Sequence, residues 1–219
     1  MSDSLLNVLQ PPRDRTPDRI YGVVVGLVTD NQDPEGLGRI RVRFPWLSST
    51  DESSWARMAT PMAGKDRGIY FLPEVEDEVL VAFEHGDARF PYVIGALWNG
   101  KDAPPESAPV SSGGQVVKRT IKSRSGHLIR LDDTDGAEKI EIIDKQGKNS
   151  VVLESSANTI TIKADGDITL ESAQGKVTLK GQSIEVQSTG QDIKIEATVN
   201  LDLKARGQSN LKGALVNIN

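Results

Sequence analysis

Cysteine is absent from this 219-residue chain, and histidine and aromatic residues are scarce. Without cysteine the chain has no disulfide framework and no thiolate metal site, and folding in a reducing compartment is permitted. The two histidines, His85 and His127, lie far apart in the sequence and neither has a second histidine at metal-binding spacing. We therefore expect no metal site, no catalytic site and no cofactor.

Long hydrophobic runs are also missing, since no stretch approaches the roughly 20 apolar residues of a membrane-spanning helix. Residues 1–10 carry Asp3 where a signal peptide would be basic. These features predict synthesis in the cytoplasm without a signal peptide.

Positive charge is in deficit, with a formal net charge of -5. Arg39, Arg41 and Arg43 alternate along one predicted strand, as in some barrels that bind oligonucleotides. The first 118 residues nevertheless hold 12 basic against 17 acidic side chains. Because phosphate binding needs a basic surface, an ion-paired protein contact is favoured over a nucleic-acid groove.

Aromatic residues and prolines disappear along the chain, the last aromatic being Trp98 and the last proline Pro109. Residues 101–118 are rich in Pro, Gly and Ser, which is typical of a linker. The composition therefore predicts an N-terminal arm at residues 1–19, a first domain at 20–100, the linker at 101–118 and a second domain at 119–219.

The second domain repeats an apolar-polar-apolar triplet every seven to nine residues, as in Ile160-Thr161-Ile162. Each triplet predicts a short strand with both apolar side chains on one face. Two inward side chains cannot form a core alone, so the repeat predicts a stacked solenoid built from one chain or from several. The predicted inward residues are Ile160, Ile162, Ile168, Leu170, Val177, Leu179, Ile184, Val186, Ile193, Ile195, Leu201 and Leu203.

The first domain reads as five or six short strands without an amphipathic helix. Residues 21–28, 39–44, 54–59, 68–72, 78–83 and 92–98 carry β-branched or alternating patterns, and residues 84–87 resemble a hairpin turn. Such a pattern favours a small Greek-key barrel such as an OB-fold.

Several motifs in this order resemble the central spike family of contractile injection machines, which includes phage baseplate assembly protein V and the valine-glycine repeat proteins of type VI secretion. They are Asp33-Pro34-Glu35-Gly36-Leu37-Gly38-Arg39 with the strand that follows, Ser54-Trp55-Ala56-Arg57-Met58-Ala59, residues 68–75 with Glu78-Val79-Leu80-Val81, and Ser125-Gly126-His127-Leu128-Ile129-Arg130-Leu131-Asp132-Asp133. The resemblance implies an all-β protein with an N-terminal OB-fold barrel and a C-terminal triple-stranded, intertwined β-helix of three identical chains. Ten triplets stacked at strand spacing would form a prism on the order of 50 Å long.

The chain also departs from parts of that family. The barrel and the repeat are joined without a lysozyme domain, and no large hub domain precedes the barrel. A His-x-His iron site, which sharpens the tip of some phage spikes, is missing near Val216, Asn217, Ile218 and Asn219. The resemblance therefore implies a separate hub protein at the barrel end and a tip cap of the proline-alanine-alanine-arginine repeat type on these four residues.

Two acidic clusters resemble possible sites for a metal ion or for catalysis. Residues 132–136, rich in aspartate, lack the acidic ligands at the first and twelfth positions of a calcium loop, which favours a polar turn. The acids between Glu74 and Glu78 have no catalytic partner nearby, which favours a solvated loop.

The resemblance thus implies a non-enzymatic, trimeric, membrane-puncturing shaft at the centre of a contractile injection baseplate. The machine could be a phage tail, a phage-tail-like particle released from the cell or a cell-anchored system. The expected partners are two further copies, the hub, the cap, the tube and baseplate wedge proteins, with transient contact to a target membrane and none to nucleic acid. One alternative is an OB-fold module for single-stranded nucleic acid with an oligomerising tail. The other is a β-helical glycan hydrolase, although the repeat has no aromatic residue to bind sugar.

Overall fold

The computed structural model describes residues 19–107 and 109–217. Contacts divide the chain into two compact units, one up to Asp165 and one from Gly166. The first unit contains all the strands of the described residues, arranged in two five-stranded sheets and one small hairpin. The boundaries 20–100, 101–118 and 119–219 stay predictions, and residues 1–18 of the predicted arm lie outside the described part.

The first sheet is formed by short strands rich in valine and arginine. Its five members pair in the order β2-β1-β6-β7-β3, and β4 and β5 form a separate hairpin. The strands are β1 (Val23–Asp30), β2 (Arg41–Arg43), β3 (Arg57–Met58), β4 (Ala63–Gly64), β5 (Arg67–Gly68), β6 (Glu78–Phe83) and β7 (Pro91–Ala96).

Two backbone hydrogen bonds close this sheet into a barrel. Ile40 and Ala56, which precede β2 and β3, exchange N–H···O bonds of 3.1 and 2.7 Å. The closed order is therefore β1-β2-β3-β7-β6, with β3 parallel to β7 and the other ladders antiparallel. This arrangement confirms the predicted Greek-key OB barrel.

The barrel interior is filled by the inward positions of alternating strands. On β6 every second residue is buried, as the alternation predicted. The core consists of Val28, Ile40, Val42, Phe44, Ala56, Val79, Val81, Phe83 and Val93. Phe44 and Phe83 meet edge to face, with ring centroids 5.5 Å apart.

The structure corrects one predicted strand. Residues 68–72 were expected to be extended and paired, yet only Gly68 belongs to a strand, in the two-residue hairpin with β4. Tyr70 and Phe71 are 73% and 68% exposed, so these apolar residues do not reflect an inward-facing strand. The predicted turn at 84–87 does connect β6 and β7, through a short 3-10 segment at Glu84–Gly86.

The second sheet is a meander in which each strand pairs with the next. Its order is β12-β11-β10-β9-β8 and every ladder is antiparallel. The strands are β8 (Lys118–Lys122), β9 (Leu128–Asp132), β10 (Lys139–Ile143), β11 (Ser150–Glu154) and β12 (Thr159–Lys163).

The second unit has no β-ladder among residues 166–217, and every residue in this range is exposed. A strand is recognised by backbone bonds to a neighbouring strand, and one chain offers none here. The triple-stranded β-helix predicted for this part therefore remains a prediction.

Candidate functional site: the open apolar face of the second sheet

The register of the second sheet sorts its side chains onto two chemically different faces. Residues directly opposite in antiparallel strands point to the same face, so a row across the sheet can be read from the pairings. One row is Ile121, Ile129, Ile142, Val151 and Ile162. The next row on the same face is Arg119, Leu131, Ile140, Leu153 and Ile160.

Nine of these ten side chains are apolar, and eight of the nine are at least 36% exposed. Ile142 is 50% exposed in the middle of the sheet, and Ile160 is 71% exposed on β12. Soluble monomers rarely present so continuous an apolar surface to water. The open face is therefore the first candidate for an interface.

The opposite face carries charges and is the better covered of the two. Arg130 bridges Glu106 at 2.8 Å and Glu141 at 3.1 Å, and Lys139 pairs with Glu141 at 3.0 Å. Asp132 and Glu141 are only 8% and 6% exposed. The second sheet therefore has its better covered side chains on the polar face and its more exposed side chains on the apolar face.

Hydrogen bonding favours the ionised forms of Glu106, Arg130 and Asp132. The hydroxyl of Thr120 and then the guanidinium of Arg130 lower the pKa of Glu106. Burial alone would lower the pKa of Arg130, but hydrogen bonds to Glu106 and Glu141 raise it. The Thr134 hydroxyl, followed by the Thr134 backbone N–H, lowers the pKa of Asp132.

The second unit continues the apolar pattern with regular exposure. In five successive triplets the first apolar residue is 52–58% exposed and the second is 66–76% exposed. The first members are Ile168, Val177, Ile184, Ile193 and Leu201, and the second members are Leu170, Leu179, Val186, Ile195 and Leu203. Equal environments in successive triplets are expected of a structural repeat.

The predicted inward residues thus fall into two groups. Ile160 and Ile162 lie on the open face in register with Leu153 and Val151. The other ten lie in the second unit, exposed and without a ladder. Of the predicted tip residues, Val216 is 48% exposed and Asn217 is exposed, whereas Ile218 and Asn219 lie outside the described residues.

The predicted inward residues begin at Ile160 and leave out the part of the open face on β8 to β11, although the triplets of β10 and β11 belong to the same repeat. The alternation in Leu128–Asp132 and Lys139–Ile143 carried that signal, but only pairing shows which alternate residues share a face. Glu106 was missed as well, because a glutamate in a Pro- and Ser-rich stretch has no sequence mark of burial.

Two of the three alternating arginines, Arg39 and Arg41, are paired within the barrel. Arg39 binds Asp33 at 2.7 Å and Glu35 at 2.9 Å, and Arg41 binds Glu52 at 3.2 Å. The guanidinium of Arg41 also lies 4.9 Å from the ring centroid of Trp55. Charges already matched by carboxylates are poor candidates for a phosphate groove.

The two acidic clusters also have local roles. Asp132 accepts hydrogen bonds from the N–H and hydroxyl of Thr134, and Asp133 pairs with Arg119. Asp77 accepts a hydrogen bond from the N–H of Glu74 at 2.8 Å, just before β6. No group of three or more His, Cys, Asp or Glu side chains suited to a metal occurs within residues 19–107 and 109–217. Over the same residues, no helix has the length and apolar character to cross a membrane.

Comparison with known proteins finds a matching domain and similar proteins for part of the chain. Residues 24–98 match the type VI secretion system/phage-baseplate injector OB domain. The chain is 29% identical over 142 residues to the type VI secretion system spike protein VgrG1a of Pseudomonas aeruginosa, covering 59% of this chain and 22% of the relative. It is 31% identical over 141 residues to spike protein VgrG5 of the same species, covering 60% and 18%.

A relative in another species shows the same relation. Spike protein VgrG3 of Vibrio cholerae is 29% identical over 131 residues, which cover 56% of this chain and 13% of that protein. The matched segments thus span about a fifth or less of the curated relatives. Residues 24–98 thus match an injector OB domain, and the chain is similar to VgrG spike proteins over about three fifths of its own length.

Proposed function

We propose that this protein is the spike at the centre of a contractile injection baseplate, built from three copies whose repeats intertwine into a membrane-puncturing shaft. The observation that carries the proposal is the open apolar face of the second sheet, together with the exposed apolar triplets found separately in the second unit. The relatives, named as type VI secretion spike proteins, support the same role.

The apolar surface is large enough to drive association. Covering the exposed parts of the nine apolar side chains on the open face would contribute on the order of 10 kcal/mol per chain. The ten inward residues of the second unit would add roughly 15 kcal/mol on the same basis. Together these exceed the roughly 4–15 kcal/mol that association costs in lost freedom.

The unpaired backbone groups indicate that the apolar face is buried by other copies of the same chain. β8 and β12 are the two edges of the second sheet, and all five residues of β12 are exposed. Residues 166–217 likewise have unpaired strand-like triplets. If three chains place identical repeats at the same height, the strand edges of each chain can pair with a neighbouring chain while its apolar face is buried. Such an arrangement is a closed symmetric assembly.

The role we propose is mechanical rather than catalytic. Sheath contraction would push the shaft through a target envelope, and interlocked strands would resist the load because three chains must unwind together. The partners we propose are a separate hub protein at the barrel end, a cap of the proline-alanine-alanine-arginine repeat type on residues 216–219, and tube and wedge proteins of the baseplate. Assembly would occur in the bacterial cytoplasm, before release or firing.

Mass measurement tests the assembly directly. Size-exclusion chromatography with light scattering should give about 71 kDa, three times the 23.7 kDa of one chain. Unheated samples should also migrate as trimers in SDS gels, since unwinding is slow. A monomer, or a rapidly exchanging mixture, would overturn the proposal.

Oligonucleotide binding separates this proposal from a nucleic-acid-binding module. The paired state of Arg39 and Arg41 leads us to expect no tight binding to single strands even at low salt. A salt-dependent dissociation constant below about micromolar would favour the module instead.

A further inference from the structure

The segment that joins the barrel to the second sheet makes hydrogen bonds to the barrel at its start and to the second sheet at its middle and end. It comprises residues 99–107 and 109–117, and we call it the brace. Its composition predicted a linker, yet its polar groups bind both neighbouring sheets.

At the barrel end, Asn99 holds the first turn of the brace. Its side-chain oxygen accepts hydrogen bonds from the backbone N–H groups of Lys101 and Asp102, at 2.8 and 2.7 Å. Its amide donates to Glu78 of β6 at 3.2 Å. The brace therefore starts from a turn that is bonded to the barrel wall.

In the middle, Glu106 reaches the polar face of the second sheet. Its carboxylate accepts hydrogen bonds from the Thr120 hydroxyl at 2.6 Å and from Arg130 Nε at 2.9 Å. The side chain is only 12% exposed, and that of Arg130 is 24% exposed. A largely buried carboxylate with two donors is costly to detach, because detachment leaves Arg130 short of one counter-charge.

At the sheet end, the brace runs into β8 through backbone bonds. Val117 donates to the carbonyl of Pro109 at 2.7 Å, and the carbonyl of Val117 accepts from Asp133 at 2.7 Å. Val110 and Val116 form a bridge between these points. The proline fixes local backbone angles, so little freedom remains in this part.

A direct ion pair between barrel and sheet is weaker. Arg124 pairs with Glu74 at 2.9 Å, but the two side chains are 82% and 55% exposed. Exposed pairs contribute little and are screened by salt. The better buried polar contacts between barrel and sheet are therefore those of the brace.

We propose that the brace is a rigid coupling, with Glu106 as its clamp, that makes the barrel and the second sheet one mechanical body. A flexible linker at this point would let the barrel move without moving the sheet. A bonded brace transmits an axial push from one to the other. The inference stands on contacts within one chain and does not depend on the trimer.

Hydrogen exchange on the full chain tests the coupling. In the unaltered protein the amides of Val117 and Asp133 should be protected. The E106Q variant should exchange them about tenfold faster or more, because the charge-assisted bonds to Arg130 are weakened. The same change at the exposed Glu185, E185Q, should leave both amides unaffected. Tryptic cleavage after Lys101 and Lys118 should rise only in E106Q.

A milder variant covers the case in which E106Q does not fold. T120V removes one hydrogen bond from Glu106 and keeps the ion pair, so it should produce a smaller acceleration in the same direction. Exchange of the brace at the rate of an unstructured chain in the unaltered protein would overturn the proposal, as would unchanged exchange in both variants. Light scattering on the same samples reports the trimer separately, so failure of the coupling is distinguishable from failure of the proposed function.

Discussion

At the residue scale, the close packing around Gly26 and the hydrogen bonds of Asp33 explain why these two residues occur in and just after the first strand of the barrel. At Gly26 a Cβ atom would lie 2.3 Å from Cγ1 of Val42, so glycine is needed for β1 and β2 to pair closely. Asp33 accepts backbone hydrogen bonds from Glu35, Leu37 and Arg39 as well as the Arg39 side chain. It thereby holds the loop between these strands in one shape.

Replacement of Gly26 by alanine should destabilise the barrel by about 1–3 kcal/mol, the usual cost of overpacking. Urea unfolding followed by tryptophan fluorescence measures this, because Trp46, Trp55 and Trp98 all belong to the first unit. Gly95 lies on β7 with open space around its Cβ position, so G95A is the matched control and should be near neutral. Equal effects of the two changes would contradict the steric argument.

The Asp33 carboxylate should make the barrel sensitive to acid. The Arg39 side chain, aided by the backbone N–H groups of the loop, holds the pKa of Asp33 well below its usual range. A lowered folded-state pKa stabilises the fold above the unfolded value of about 3.9, and this contribution is lost as the pH falls below it. The urea midpoint of the fluorescence transition should therefore fall between pH 5 and pH 2.5.

The D33N variant should be less stable at pH 6 and should show a smaller drop on acidification. Some sensitivity should remain, because hydrogen bonds from Arg89 lower the pKa of Asp87 to about 2. Asp51 is an exposed aspartate of the β2–β3 loop, and D51N should keep the full acid response. An undiminished acid response in D33N would show that Asp33 is not a source of it.

At the element scale, the apolar-polar-apolar triplet forms a paired strand in the second sheet but has no pairing partner in the described part of the second unit. On β12 the triplet Ile160-Thr161-Ile162 is an ordinary strand, because β11 supplies its backbone partners. In the triplets after Asp165 the same pattern has no ladder within one chain. Under the proposed trimer, the two outer residues of each triplet point inward and the middle residue points to solvent.

A charge at an outer position should therefore disrupt assembly, whereas the same charge at the neighbouring middle position should be tolerated. V177K would bury an unpaired ammonium in the shaft and should shift the mass from about 71 kDa towards that of one chain. T178K, one residue away and with the same change in charge, should remain trimeric. A trimeric V177K that keeps its resistance to SDS would be incompatible with this face lying inside.

At the scale of the whole molecule, the barrel and the second unit can be followed by different optical signals, because all three tryptophans lie at or before Trp98. Tryptophan fluorescence reports the barrel, whereas far-ultraviolet circular dichroism reports all the strands, including those that the proposed assembly would form. The barrel contains its own closed core, and the apolar residues described in the second unit are all exposed in a single chain. The barrel should therefore fold at a rate independent of chain concentration, whereas the second unit should fold at a rate that depends on it.

After dilution from denaturant, recovery of tryptophan fluorescence should be independent of chain concentration. Recovery of the shaft signal and of SDS resistance should accelerate as concentration rises, because three chains must meet first. Repeating the experiment over a tenfold range of concentration checks this. Concentration-independent recovery of both signals would indicate that each chain folds its repeat alone.

The sequence alone determined the all-β character, the barrel strands near Val79 and Val93, and the triplet repeat, because these depend on local alternation and composition. It also carried the motifs of the spike family. It predicted a strand at residues 68–72 that is mostly irregular, since apolar content alone does not supply a pairing partner. The linker at residues 101–118 stays a prediction, but no local pattern pointed to the ion pair between Glu106 and Arg130.

Only the tertiary structure decided which alternate residues share a face. The pairing of Ile129 with Ile142 and of Leu131 with Ile140 depends on strand register, which is set by turns and long-range backbone bonds. Barrel closure through Ile40 and Ala56 and burial of Glu106 likewise depend on residues distant in sequence. Local pattern specifies what each strand can bury, and register and packing determine what covers it.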